Sequence, residues 1–307
     1  MVAAGITRIF PDLTDDLLLN LFHQGAQVQW TSRSLDWNTP FQLSDRQRLA
    51  LARLLTPVYF GEQSAMAGAS SMLPSVMAAG ETTAQLYLAS FIMDEARHFE
   101  ALTRLYRSLG HDPLRIRDMP ELLRYYHRLR EGDRIDWVWG ILISDIIGKH
   151  FYRALGPKQA APDPFFGPLT VRILRDESRH LAFAEHYLKR NVPGLTPERR
   201  RVMVDMRDEL MRLLESMTRR VRDDALAFHV EIDDFLGEVG GEIDGVAHRV
   251  GLLERRQGPP KTGSGPIVSD RSGPPPPQTP ATDEGAVMAR CFGCLLSLIC
   301  SRRLARA

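Results

Sequence analysis

The chain contains little cysteine, almost no excess of charge, and no long apolar run before its last 22 residues. Its three cysteines all lie within the last 20 of 307 positions, so no disulfide framework supports the body of the chain, which favours a reducing cytoplasm. The 39 basic and 38 acidic residues leave a net charge of +1, which argues against a nucleic-acid-binding protein. The N-terminus has no basic region followed by an apolar run, so we expect no signal peptide.

Strand-like alternation bounded by hairpin turns is also missing, and the body of the chain reads as helix throughout. The predicted fold class is therefore all-α. The sequence divides into an N-terminal extension (1–43), a helical bundle (44–240), a Pro/Gly-rich disordered linker (241–285) and an apolar, basic C-terminal tail (286–307). Within the bundle, helix signals predict segments at 44–79, 81–109, 119–130, 134–155, 168–191 and 197–236.

The C-terminal tail allows two interpretations. Its apolar stretch is too short to span a bilayer comfortably, so it is either a peripheral or acylated membrane contact or an end without a special role. Cys291 and Cys294 form a lone C-x-x-C, a weak zinc or redox signal without a second pair.

The sequence contains two copies of the motif D-E-x-R-H, which supply the main candidates for metal ligands. Glu95 and His98 are three residues apart on one predicted helix, as are Glu177 and His180 on another, so each pair projects from one helix face. One such pair is common on a solvated helix, whereas two with the same flanking residues indicate two halves of a di-metal site. Four-helix carboxylate proteins complete this site with one acid from each of two further helices.

Hairpin geometry locates the first of these acids. If the helices joined near Gly80 are antiparallel, a residue level with Glu95 lies as far before the turn as Glu95 lies after it. Glu62 satisfies this condition, since the midpoint of 62 and 95 falls between residues 78 and 79. It is also the only acid between Asp45 and Glu81.

The same construction locates the second acid. The midpoint of Asp145 and Glu177 is residue 161, inside a loop with three prolines. Asp145 is the only acid in the apolar stretch WVWGILISDIIGKHFY, and a lone buried carboxylate is costly unless it is paired, protonated or metal-bound.

The predicted ligand set suits iron or manganese better than copper or a structural zinc, because it combines carboxylates and imidazoles without thiolate, and we expect two iron ions. The set is Glu62, Glu95, His98, Asp145, Glu177 and His180. As supporting residues around the ligands we expect Asp176 to reach His98 and Asp94 to reach His180 across the bundle. Arg97 and Arg179 either pair with these acids or form exposed salt bridges.

With these residues the sequence resembles the ferritin-like di-metal carboxylate superfamily over roughly residues 36–240. It is most similar to ribonucleotide reductase small subunits and the related ligand-binding oxidases, in the strings FGEQSA, YLASFIMDEARH and LRDESRHLAF. The resemblance implies a ferritin-like four-helix bundle core with flanking helices, and it adds manganese–iron as the alternative to two iron ions.

The sequence also departs from these relatives. The radical tyrosine of the reductase subunits corresponds by position to Leu102, and the valine–tyrosine cross-link of the oxidases corresponds to Ala65 and Gly140. An extra histidine of some di-metal N-oxygenases corresponds to Ile173. Small residues near the ligands predict a substrate pocket, for which the candidates are Ala65, Ala69, Gly140 and Leu102.

The leading functional hypothesis is an oxidase or oxygenase that uses dioxygen on a small to medium, partly apolar substrate, such as an aromatic amine, a fatty acyl chain or an amino-acid derivative. It requires an external electron donor, and a homodimer through the long helices is a further expectation. One alternative is a radical-generating subunit for a separate catalytic partner, which Leu102 disfavours. Iron storage is the third hypothesis and ranks last.

Overall fold

The computed structural model of this chain describes residues 13–253. The predicted linker beyond residue 253 and the C-terminal tail lie outside the described residues. Ten α-helices are found in the described part, which contains no strand: α1 Asp16–Gln27, α2 Asp45–Leu54, α3 Thr56–Ala78, α4 Thr82–Leu109, α5 Pro120–Leu129, α6 Arg134–Leu155, α7 Phe166–Asn191, α8 Pro197–Arg220, α9 Arg222–Leu226 and α10 Ile232–Arg249.

Helices α3, α4, α6 and α7 form the core as two hairpins. α3 packs against α4 and α6 packs against α7, while α3–α6 and α4–α7 contacts join the two hairpins. The turns fall where the sequence places them, at Gly80, whose φ of 72° suits glycine, and between Leu155 and Phe166. The predicted all-α, ferritin-like four-helix core with flanking helices is confirmed.

The remaining helices cover the core from both sides. α1 lies against α4 and α7, whereas α5 and α8 pack together, and α10 lies on α6 and α8. Among the described helices, none is long and apolar enough to cross a bilayer.

Local signals explain most helix ends. Ser44 and Gln47 form a capping box at the start of α2, and Gly110 ends α4 with a left-handed φ of 73°. Pro57 lies in the first turn of α3, where a missing N–H costs nothing, and Pro74 lies inside the same helix without ending it.

Three sequence predictions about the helices are wrong. The segment 44–79 is two helices separated at Leu55, and 197–236 is three, interrupted at Val221 and at His229, which has a φ of 56°. Helix α10 continues to Arg249, past the predicted end of the bundle at residue 240, because its apolar residues pack on α6 and α8. The N-terminal extension contains α1, one of the flanking helices.

Candidate metal centre

All six predicted ligands meet in the interior of the bundle. The four core helices contribute them as follows: Glu62 from α3, Glu95 and His98 from α4, Asp145 from α6, and Glu177 and His180 from α7. Each is at most 7% exposed. Four carboxylates buried at one level of an apolar bundle require compensating positive charge.

The ligand atoms form two overlapping groups. Within each group, one ligand atom from every residue lies within 4.8 Å of the others. The first group is Glu62, Glu95, His98 and Glu177, and the second is Asp145, Glu177 and His180. Glu177 belongs to both groups, so its carboxylate lies between two potential metal positions. This arrangement matches a pair of neighbouring metal ions.

The imidazole of His98 connects the centre to its surroundings. Its Nδ1 lies 3.2 Å from Glu62 Oε2, and its Nε2 lies 3.3 Å from Asp176 Oδ2. Because the Asp176 carboxylate only accepts, Nε2 donates to it, and Nδ1, which faces the other candidate ligands, is the nitrogen that a metal ion would bind in place of a proton. The predicted contact from Asp176 to His98 is present.

His180 repeats this arrangement on the other helix. Its Nε2 donates to Asp94 Oδ2 over 3.3 Å, and its Nδ1 lies 3.2 Å from Glu95 Oε1. Both D-E-x-R-H motifs therefore hold the histidine of the other motif, as expected from the sequence.

The pKa values of several candidate ligands are shifted because the ligands are buried close to other charged groups. Burial by itself would lower the pKa of His98, but Glu62 and Asp176 raise it to about 10. The pKa of His180 rises to about 9 against the same effect of burial, because of Glu177 and Asp94. Burial, followed by repulsion from Glu62 and Glu177, raises the pKa of Glu95 well above its usual value.

Two buried atoms test whether metal ions fit this site. Asp145 Oδ2 makes no hydrogen bond among the described residues, and neither does His180 Nδ1, although Glu95 Oε1 lies 3.2 Å from it. Buried polar atoms without a partner cost free energy, and both belong to the same ligand group. Oxygen and imidazole donors without thiolate suit iron or manganese, so the residues present fit two such ions.

The arginines of the two motifs form a buried cluster with the supporting acids. Arg179 Nη2 donates to Asp94 Oδ2 over 2.8 Å and to Asp176 Oδ1 over 2.9 Å. Arg97 contacts Asp94 and lies 3.2 Å from Asp176 Oδ2. Of the two interpretations of these arginines, the pairing with acids is correct, since Arg97 and Arg179 are only 9% and 5% exposed.

One supporting residue was not found from the sequence. Trp30, which follows α1, donates from Nε1 to Asp176 Oδ2 over 2.7 Å and stacks near His98 at 6.2 Å between ring centroids. Its neighbour Gln29 accepts a hydrogen bond from Arg97. The segment AQVQWTSRS carries no signal for this role, because the contact depends on how α1 packs.

A mostly apolar cavity of about 220 Å³ reaches the ligands from the side opposite α1. It lies between α3, α5, α6 and α8 and touches four of the carboxylates, Glu62, Glu95, Asp145 and Glu177. We call it the substrate cavity. Tyr152 lines it and donates from its hydroxyl to Glu62 Oε1 over 2.8 Å, a second contact that the sequence did not reveal.

Of the four predicted pocket residues, one lies in the wall of the substrate cavity and three do not. Ala65 lines the substrate cavity, whereas Ala69, Leu102 and Gly140 are not part of its wall. Gly140 adds no free space, because a Cβ there would lie 2.5 Å from Leu129 Cδ2. Its small size admits neighbouring side chains instead of a ligand.

Comparison with known proteins agrees with this geometry. The family model described as p-aminobenzoate N-oxygenase AurF matches residues 62–234, a range that covers more than half of the chain and contains all six candidate ligands. A search of curated proteins gives no match.

Among solved structures, an R2-like ligand-binding oxidase with an aerobically reconstituted Mn/Fe cofactor is similar at a TM-score of 0.62. It has 16% sequence identity over 78% of this chain and 95% of that chain. The same type of oxidase after photoconversion gives a TM-score of 0.62 and 16% identity over 76% and 92% of the two chains. These similarities confirm the fold. The family match places this chain in the p-aminobenzoate N-oxygenase AurF family, as a non-haem di-metal, oxygen-activating oxidoreductase of the ferritin-like superfamily.

Proposed function

We propose that this protein is a di-iron N-oxygenase that acts on an aromatic amine bound in the substrate cavity. The observation that carries the proposal is the direct contact between this apolar cavity and four carboxylates of the candidate metal centre. The name of the matching family supports an amine as the group that is oxidised.

The six buried side chains would hold two iron ions, with manganese–iron as the alternative pair. The grouping of the ligand atoms supports Glu177 as the residue shared by both ions. Ile173, fully buried on α7, adds no imidazole to the second group, so the centre would work with six protein ligands. The metals supply the electron transfer to dioxygen that protein side chains alone cannot perform.

The wall of the substrate cavity supports a flat, largely apolar substrate. Several aromatic rings line it, namely Phe60, Tyr125, Tyr126, Trp137 and Tyr152. The hydroxyls of Tyr125 and Tyr126 are already engaged, with Ser144 Oγ at 3.1 Å and with Pro57 O at 2.8 Å. Rings that keep their polar atoms occupied offer apolar contact and exclude water from the reacting nitrogen.

The balanced equation shows which reactants the proposed N-oxygenation needs besides the amine and dioxygen. An arylamine, dioxygen, two electrons and two protons give an arylhydroxylamine and water, with one oxygen atom on nitrogen and the other in water. The two electrons come from an external donor, which agrees with the expectation from the sequence.

The test is anaerobic loading with Fe(II), followed by dioxygen, a chemical reductant and p-aminobenzoate. The expected products are N-oxygenated and contain one labelled oxygen atom when ¹⁸O₂ is used, as measured by mass spectrometry. The Glu177→Ala variant should give no product, whereas Glu185→Ala on the same helix should retain activity, because Glu185 pairs with Arg249 away from the centre.

Two results would count against the proposal. An unlabelled product would show that the oxygen comes from water. Turnover of fatty acids but of no arylamine in a panel of ring sizes would replace the amine by another substrate class.

A further inference from the structure

A second apolar cavity of about 80 Å³ lies beside the substrate cavity. We call it the side chamber. It lies between α3, α6 and α8 and the region of α9 and α10. Residues that belong to it and not to the substrate cavity include Phe151, Ala154, Thr218, Ala225 and Phe235.

The two cavities have a common wall. Five residues line both, namely Pro57, Val58, Ile147, Leu214 and Met217. A wall built from the same side chains on both faces is a single layer thick. Met217 is the most adaptable of them, because an unbranched thioether changes rotamer easily and can open a transient passage.

The side chamber offers nothing that would hold water. Thr218 is its only lining residue with a polar side chain, and its hydroxyl lies 3.0 Å from Leu214 O and from Glu215 O of its own helix. The carbonyl of Pro57 already accepts from Tyr126. An apolar cavity without free hydrogen-bonding groups stays dry and binds apolar molecules such as xenon.

We infer that the side chamber is a binding site for dioxygen on its way to the metal centre. Dioxygen is a small apolar molecule, so it partitions from water into such a space. A substrate that fills the larger cavity blocks that route to the carboxylates, whereas the common wall gives a second route past Met217. This inference rests on the proposed function, since the substrate cavity must hold the organic substrate.

The first test uses xenon and the metal-free protein. Crystals pressurised with xenon should show a xenon atom in the side chamber. The Ala154→Leu and Ala225→Leu variants, which fill the chamber from two different helices, should lose this atom. Ala78→Leu is the matched control, because Ala78 is exposed at the end of α3 and lines neither cavity.

The second test follows the oxidation of Fe(II)-loaded protein with p-aminobenzoate bound in the substrate cavity, at several dioxygen concentrations, by stopped flow. Both filled variants should show a several-fold lower second-order rate constant for dioxygen, with Fe(II) content and turnover at saturating dioxygen unchanged. The control variant should match the wild type. Two positions are used so that a folding defect at one of them does not decide the result.

Three outcomes would overturn the inference: no xenon in the chamber, an unchanged rate constant in both filled variants, or a raised KM for the organic substrate with an unchanged rate constant for dioxygen. The last result would make the chamber a part of the substrate site. A failure of the proposed function looks different, because wild-type protein would then bind no Fe(II) or oxidise no amine, although xenon would still occupy the chamber.

Discussion

Trp30 and His98 donate to the same oxygen atom, Oδ2 of Asp176, over 2.7 and 3.3 Å. The indole comes from the segment after α1 and the imidazole from α4, so a residue outside the four-helix core helps to fix the orientation of a candidate metal ligand. Loss of the hydrogen bond from Trp30 should therefore lower the metal affinity.

The Trp30→Phe variant should bind Fe(II) more weakly than the wild type. The ring keeps its apolar packing, but Asp176 loses one donor and holds His98 less firmly, and such outer contacts are worth about 10–100-fold in metal affinity. The measurement is an anaerobic Fe(II) titration. Trp37→Phe is the control, because Trp37 donates to Ser32 O instead of to an acid of the cluster. Equal losses in both variants would contradict the role of Trp30.

Single ligand variants should separate the two metal positions. Glu177→Ala should remove both ions, because Glu177 belongs to both ligand groups. Glu62→Ala leaves the second group complete and Asp145→Ala leaves the first, so each should keep about one ion in place of two. Metal analysis of protein with unchanged circular dichroism measures this. Retention of two ions in the Glu177 variant would disprove the assignment.

The Asp145→Asn variant should be more stable than the wild type as metal-free protein at neutral pH. Burial, followed by repulsion from Glu177, raises the pKa of Asp145 well above the usual value of an aspartate. An acid whose pKa is raised by folding lowers the free energy of unfolding at any pH above its unfolded value, so a neutral isostere should gain about 1–4 kcal/mol.

The stability difference between the Asp145→Asn variant and the wild type should depend on pH in one direction only. The advantage of Asn should shrink as the pH falls and disappear below 3.8, the usual pKa of an aspartate, because the acid is then protonated in both states. It should reverse when Fe(II) is present, because the variant lacks a ligand. Urea unfolding of both proteins, with and without metal, measures both effects. A less stable metal-free variant at neutral pH would contradict the prediction.

The Gly68→Ala variant should be destabilised by about 1–3 kcal/mol, since overpacking shifts side chains and backbone. A Cβ at Gly68 would lie 2.3 Å from Nε1 of Trp137. The second change Trp137→Phe removes the clashing atoms and should restore part of this loss, which a double-mutant cycle measures. Gly148→Ala is the control, because no atom lies within 4 Å of its Cβ position. Additive losses at Gly68 and Trp137 would refute this contact.

The core helices and all six candidate ligands could be predicted from the sequence. Residues three apart on a helix share a face, and an antiparallel hairpin pairs positions at equal distances from its turn. Glu62 and Asp145 followed from these two rules together with their apolar neighbours, and the structure places both acids beside the histidines.

Contacts made by side chains from outside these hairpins could not be predicted in the same way. Trp30 reaches Asp176 only because α1 packs on α4 and α7, a long-range contact with no local pattern. Gly140 was predicted to line the substrate pocket because it is small, but Leu129 and Met206 fill the space that it leaves. Sequence spacing reveals which residues share a face, but not which neighbour occupies the space in front of it.

The cluster of Asp94, Asp176, Arg97 and Arg179 is electrically neutral as a whole, with two carboxylates and two guanidiniums. An uncompensated aspartate would pull the Nε2 proton away from its histidine and push the ring toward imidazolate. Hydrogen bonds and nearby cations outweigh burial and lower the pKa of both Asp94 and Asp176, so the protons stay on the imidazoles. Both histidines thus keep Nε2 as a hydrogen-bond donor to an aspartate, which leaves Nδ1 as the nitrogen that faces the metal site.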